Sequence, residues 1–182
     1  MIREKSTRDR AGSAALAQVT HLVDGYPRYQ PPDMAAFVTP AGEVAGWVVE
    51  LDGEIVGHVA LHTATGDPTS AAARGATGRS DHQLAVVARL MVHPRVRRRG
   101  LARRLLQTAT MAAARRGQRV VLDVLKESTD VLTCYEQLGW QRIGDVVLPL
   151  PGVPALDLWV YLGPDVAGAD VADADRGEAS NA

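Results

Sequence analysis

Leu90 to Ala102, LMVHPRVRRRGLA, is the stretch on which the reading of this fold turns. An apolar run ends at His93-Pro94, because proline has no N–H to donate to a strand ladder, and a helix-type pattern begins at Gly100. Arginines fill the turn between them. From Arg89 to Arg104 there are seven arginines in 16 residues, in a chain whose formal net charge is only -1. A helix N-terminus presents unpaired N–H groups and about half a positive charge, and glycine lets backbone approach an anion closely. Pyrophosphate is therefore a natural ligand for this turn. Backbone and helix terminus explain the binding whatever the side chains are, and the arginines add charge.

Working outward, Gln83 to Val92 reads as a buried central strand and Arg99 to Arg116 as a helix, with Leu101, Leu105, Thr108, Ala109 and Ala112 on one face and Gly117 closing it. Upstream, Val44 to Leu51 and Glu54 to His62 are β-rich runs separated by Asp52-Gly53, the pair that supplies positive φ to a two-residue type I′ hairpin turn. Thr63 to Asp81 is rich in small residues without a period and reads as a long loop or insertion with one helical turn at Ser70 to Arg74. Before the hairpin, the segment 26–40 holds prolines at 27, 31, 32 and 40, which predicts a rigid loop with a short helix around Asp33 to Phe37. Asp9 is a candidate N-cap for a helix carrying Ala14, Leu16, Val19, Leu22 and Val23 inward and ending at Gly25 and Pro27.

Downstream come a strand at Val120 to Leu125, a helix from Ser128, its expected cap, to Leu138, and strands at Trp140 to Val147 and Ala155 to Leu162. Residues 1–162 are expected to form one domain. The segment 163–182, with acidic residues at 165, 170, 173, 175 and 178, is too polar and too rich in alanine and glycine to pack, so a disordered tail is expected.

The 182 residues, 46% hydrophobic, suit a single globular domain. Twenty basic against 21 acidic side chains give no overall field toward nucleic acid or an anionic membrane. The lone Cys134 cannot form an internal disulfide and has no CxxC partner, which points to a reducing compartment, with cytoplasm as the default. No window approaches the roughly 18 apolar residues of a membrane span, and the charged N-terminus MIREKSTRDR lacks the apolar core of a signal peptide.

Arg97-x-x-Gly100-x-Ala102 resembles the [RQ]-x-x-G-x-[GA] signature of the GCN5-related N-acetyltransferase (GNAT) superfamily, and Tyr135-Glu136-Gln137-Leu138-Gly139-Trp140 resembles its Tyr-Glu-x-Leu-Gly-Phe segment. Both motifs stand at the right separation on a matching order of elements, over roughly residues 83–145. The resemblance implies an α/β (α+β) fold with a mixed, mainly antiparallel sheet of six or seven strands, flanked by helices and splayed at its centre. It implies acetyl-CoA, or another short acyl-CoA, as co-substrate, no metal, and transfer of the acyl group to a primary amine by direct attack.

Carried over by position, the backbone of Leu90, Met91 and Val92 binds the pantetheine arm, and Arg97, Arg98, Arg99, Gly100, Leu101, Ala102 and Arg103 wrap the pyrophosphate. Tyr135 is the general acid that protonates the leaving thiolate. Asp123 stands where some members, such as the ribosomal-protein alanine N-acetyltransferases, place a glutamate base. It is one methylene shorter, so either Asp123 or a water chain serves as base. Ser128 replaces an asparagine that contacts pantetheine in those enzymes.

Two other readings compete. A non-catalytic acyl-CoA-binding regulatory module has Ser128 and the short Asp123 in its favour. An RNA-binding protein would use the Arg89 to Arg104 cluster, but that cluster lacks interleaved aromatics. His58 and His62 share one strand face and have no third metal ligand in view, so they read as strand residues, and Cys134 as a small core residue. The acceptor amine, small molecule or peptide, is unspecified by the sequence; nucleic acid and membrane are not expected partners, and a homodimer through edge strands would be unsurprising.

Overall fold

The protein is described here by a computed structural model covering residues 1–166 except Ala41 and Pro151, so the expected tail lies outside the described residues from position 167 on. Seven strands, β1 (Ile2–Glu4), β2 (Glu43–Leu51), β3 (Glu54–Thr63), β4 (Leu84–Val92), β5 (Arg119–Leu125), β6 (Gln141–Leu150) and β7 (Val153–Leu162), form one sheet in the order β1-β2-β3-β4-β5-β7-β6. Its helices are α1 (Arg10–Asp24), α2 (Met34–Val38), α3 (Pro68–Thr77), α4 (Leu101–Ala114) and α5 (Thr129–Gln137). The β2–β3 turn has Asp52 and Gly53 at φ of 52° and 79°, the double positive φ of a type I′ hairpin.

Every pairing is antiparallel except β4 with β5, and that pair defines the molecule's centre. β4 and β5 are in register only at Leu84/Arg119, Ala85/Val120 and Val86/Val121, after which they part. Beyond Val86, β4 is held by β3 alone, and β5 by β7. A wedge-shaped gap therefore runs through the sheet.

Side-chain alternation decides which helices cover which face. Leu105, Ala109 and Ala113 of α4 and Tyr135 of α5 pack on one face with Trp47, Val59, Leu61, Val87, Val120 and Leu122. On the other, Ala73 of α3 meets Leu84, Val86 and Val121, while Leu16, Ala17, Phe37 and Val38 of α1 and α2 meet Met91.

Three local readings are corrected. The 63–81 segment is not a loop with one turn: α3 has ten residues, started by Asp67, whose carboxylate accepts from Ser70 N at 3.0 Å, with Pro68 in its first turn, and stopped by Gly78 at φ 69°. Its buried positions are Thr69, Ser70 and Ala73, too small to register as hydrophobic period. In α1 the buried stripe is Ser13, Leu16, Ala17 and Thr20, leaving Leu22 and Val23 exposed. Thr20 tolerates burial because its hydroxyl donates to Ala17 O at 3.0 Å. Ser128 occupies the N-cap of α5, but its side chain makes no capping hydrogen bond.

Candidate active site

The phosphate-type cradle is built by backbone. Arg98 (φ 58°) and Gly100 (φ 72°) turn the chain through two positive-φ positions into α4, whose first intrahelical bond is Arg104 N to Gly100 O at 3.1 Å. The N–H groups of Leu101, Ala102 and Arg103 stand ahead of that bond at the open helix start, as helix geometry requires. A β-carbon at Gly100 would meet nothing within 4 Å, so the cradle is open there and the glycine is demanded by φ alone. The side chains of Arg98, Arg99 and Arg103 are exposed around it. Arg97 behaves differently: its guanidinium forms a two-point ion pair with Asp24 at the end of α1, and its Nε donates to Val92 O at 3.2 Å. Its charge is already matched, so it tethers the loop.

β4 presents its edge to the gap in alternation. His93 N donates to Val56 O of β3 at 2.9 Å, so the amides of Leu90 and Val92 point the opposite way, toward the gap, while that of Met91 turns to β3. Leu90 and Val92 are thus brought to the gap. The Met91 amide is not, and its buried side chain lies with the α1–α2 cluster.

Asp123 and Tyr135 flank the gap from opposite faces. Asp123 has the parity of Val121 and faces α3, where Thr69 Oγ1 donates to its carboxylate at 2.6 Å. Thr69 escaped sequence reasoning because no pattern signals a contact across 54 residues. The Asp123 side chain is exposed to solvent. Burial pushes its carboxyl above the ordinary carboxylate range, the Thr69 hydrogen bond pulls it back, Asp67 adds to the rise and Arg89 opposes it. Tyr135 is buried and packed in tilted contacts with Trp140 and Tyr161, with ring centroids at 5.7 and 6.1 Å. Desolvation raises its phenol well above the ordinary value, and Tyr26, Cys134 and Asp123 act in the same direction. The sequence places Cys134 in the core; the structure exposes it, because α5 buries only Tyr135 among its residues.

A buried polar strut holds the gap's β4 lip. Arg89 sits at φ 56° where two β4 residues oppose one of β3, a bulge between the His58/Met91 and Ala60/Ala88 pairs. His58, fully buried, places Nδ1 2.9 Å from Arg89 O and Nε2 3.4 Å from Lys5 Nζ. Lys5 also donates to Val38 O at 2.8 Å and Glu43 Oε2 at 2.6 Å. A carbonyl on one side and an ammonium on the other select the neutral Nδ1–H tautomer.

Burial pushes His58 down to about 4, against the bonus from the Arg89 carbonyl. Its folded pKa lies below the unfolded value near 6.5, so stability is full above about 6.5 and is lost as pH falls toward 4. We expect the urea midpoint to fall across that window, by on the order of 3 kcal/mol in stability for His58, and the slope to be clearly shallower in His58→Gln. His62 shifts in the same direction and shares the slope. An unchanged slope in His58→Gln would assign the loss elsewhere.

Among the described residues no three His, Cys, Asp or Glu side chains gather as a metal site, and no helix is long and apolar enough to cross a membrane. Asp33 caps α2, and Glu50 pairs with Arg3.

A mixed sheet opened at its single parallel pair, beside an arginine-glycine helix start, is the architecture of an acyltransferase-type α/β fold. The model of the acetyltransferase (GNAT) family matches residues 15–140, and the chain belongs to that family. Solved structures share the fold at low identity. The ribosomal-protein-S18-alanine N-acetyltransferase from Escherichia coli is 16% identical, with 90% of this chain and 92% of that one covered at a TM-score of 0.64. NAA60 of Arabidopsis thaliana in complex with acetyl-CoA is 18% identical, with 89% and 96% covered at 0.66. An aminoglycoside 6′-N-acetyltransferase complexed with coenzyme A is 16% identical, with 88% and 95% covered at 0.60. No curated protein matches the chain.

Proposed function

We propose that the protein transfers an acetyl or other short acyl group from acetyl-CoA to a primary amine by direct attack in a ternary complex. The observation that carries this is that an open helix start, the free β4 edge at Leu90 and Val92, and the Asp123 carboxylate and Tyr135 phenol on opposite sheet faces all border one gap. Acetyl-CoA and CoA bound to proteins of the same fold support it. The residues fit such a substrate: amides of Leu101 to Arg103 and the opening over Gly100 receive the pyrophosphate, and Arg98, Arg99 and Arg103 add positive charge. The amides of Leu90 and Val92 take the pantetheine arm as an added strand, with Ser128 at the head of α5.

Asp123, directly or through a water chain, takes the proton that the amine loses on attacking the thioester carbonyl. The β4 amides polarise that carbonyl. Tyr135 returns a proton to the departing sulfur on the opposite face, so the carbon–nitrogen bond forms, the carbon–sulfur bond breaks, and charge balances.

Acetyl-CoA at 100 times its Kd is expected to stabilise the fold by about 2.7 kcal/mol in a thermal-shift titration, followed by thiol release with a panel of amines. Stabilisation without thiol release on any amine would support the binding module instead, and salt-sensitive RNA affinity that CoA does not displace would support the RNA reading. Gly100→Ala forces a β-carbon into φ 72°, a strain of roughly 1–2 kcal/mol. Acetyl-CoA affinity is accordingly expected to fall by about tenfold or more, read by the same titration; unchanged affinity would remove the turn from the binding site.

A further inference from the structure

We propose that Arg89 is an anion subsite in the acceptor cleft, and that the acceptor is an amino-acid-like zwitterion whose amine lies toward Asp123 and whose carboxylate lies on Arg89. This rests on the transferase reading above and adds the substrate class to it.

Arg89 is half-buried on the α1–α3 face, and no carboxylate among the described residues forms an ion pair with it. The contrast with the chain's other enclosed guanidiniums is plain. Arg3 is clasped by Asp9 and Glu50, and Arg119 has Asp165 within 4.0 Å. Arg89 has only neutral company: its Nε donates to Phe37 O at 3.1 Å and its plane lies 4.2 Å from the Phe37 ring centroid. Those contacts fix the fork and leave its terminal N–H groups without an anion. A planar guanidinium held this way matches a carboxylate through two parallel bonds.

A second observation points to a ligand at the same place. His62, on the same face of β3, has its Nε2 buried with no hydrogen-bond partner. His62 shares its β3 face with His58, whose Nδ1 lies 2.9 Å from the Arg89 carbonyl. Buried polar atoms are satisfied in the great majority of native structures, and an acid seated on Arg89 would supply the acceptor atom that His62 lacks.

The dipolar part of the argument comes from the two lips of the gap. Arg89 stands on β4 and Asp123 on β5, both past the last β4–β5 pair at Val86/Val121, with no ion pair between them. Tyr26 lies within the influence of both. The strut from Lys5 through His58 to the Arg89 carbonyl holds the bulge by its backbone. A cationic amine before Asp123 and an anion on Arg89 would complete both charges at once.

The test compares matched acceptors on the wild-type protein: the common α-amino acids against their α-carboxamides, by thiol release from acetyl-CoA. The best free acid is expected to exceed its amide by about tenfold or more in kcat/KM, the discrimination of a hydrogen-bonded charge. The preference should shrink to within about threefold in Arg89→Gln and be partly kept in Arg89→Lys. A clamp that only pins Phe37 would lower both acceptors alike.

Amides turned over as well as acids by the wild-type protein would overturn the subsite while leaving the transferase reading intact. Should no amine release thiol, calorimetric titration with N-acetyl amino acids in the presence of CoA decides separately. Binding that weakens about tenfold in Arg89→Gln supports the subsite, and its absence, or equal binding by the variant, overturns it. The wild-type comparisons need no variant to fold.

Discussion

Tyr135→Phe is expected to lower turnover by about 10²-fold or more, the usual contribution of a positioned acid, with little change in the KM for acetyl-CoA. The expectation follows from what the substitution keeps. Phenylalanine preserves the ring contacts to Trp140 and Tyr161 at 5.7 and 6.1 Å, so the core around α5 is retained. Only the hydroxyl is lost. Because burial raises that phenol, it stays protonated at neutral pH, as the acid role proposed above requires. In the proposed mechanism a thiolate leaving group with pKa of about 8.5 takes that proton as the carbon–sulfur bond breaks. Steady-state thiol release with a melting curve for each protein is the measurement. Turnover within about threefold of wild type would assign the acid elsewhere.

Asp123→Asn is expected to cost about 10²-fold or more in kcat/KM near neutral pH, and less at high pH, where more of the amine is already neutral. Thr69→Val refines the reading without removing the carboxylate. Its hydrogen bond at 2.6 Å holds the raised Asp123 value down, so losing it raises the carboxyl further. The base must be ionised to act; the acid limb of the pH–rate profile should therefore move to higher pH in Thr69→Val. Asparagine activity within about threefold, with an unmoved limb in Thr69→Val, would transfer the base role to a water chain.

Much of this was legible along the chain because the deciding forces are local. Asp52-Gly53 announces a hairpin through its φ requirements, His93-Pro94 ends β4 by removing a donor, and Gly100 opens α4. What escaped has the opposite character. α3 presents Ala73 and Thr69 rather than large apolar residues, so its burial depends on the β4–β5 surface it meets, not on any pattern of its own. Cys134 reads as core by residue type, but helix rotation, set by Tyr135 docking against Trp140 and Tyr161, turns it outward.

The sequence by itself determined the family motifs, the order of elements apart from α3, and the glycine-led helix start, since backbone conformation at Arg98 to Ala102 answers to residues a few positions away. Tertiary structure alone decided what faces the gap. Register with β3 turns the amides of Leu90 and Val92 outward and that of Met91 inward, and Asp24 neutralises Arg97 from 73 residues away. The bulge held by His58 leaves Arg89 opposite Asp123 without a counter-ion. Those outcomes depend on strand pairing and helix packing between distant segments, which no local propensity encodes.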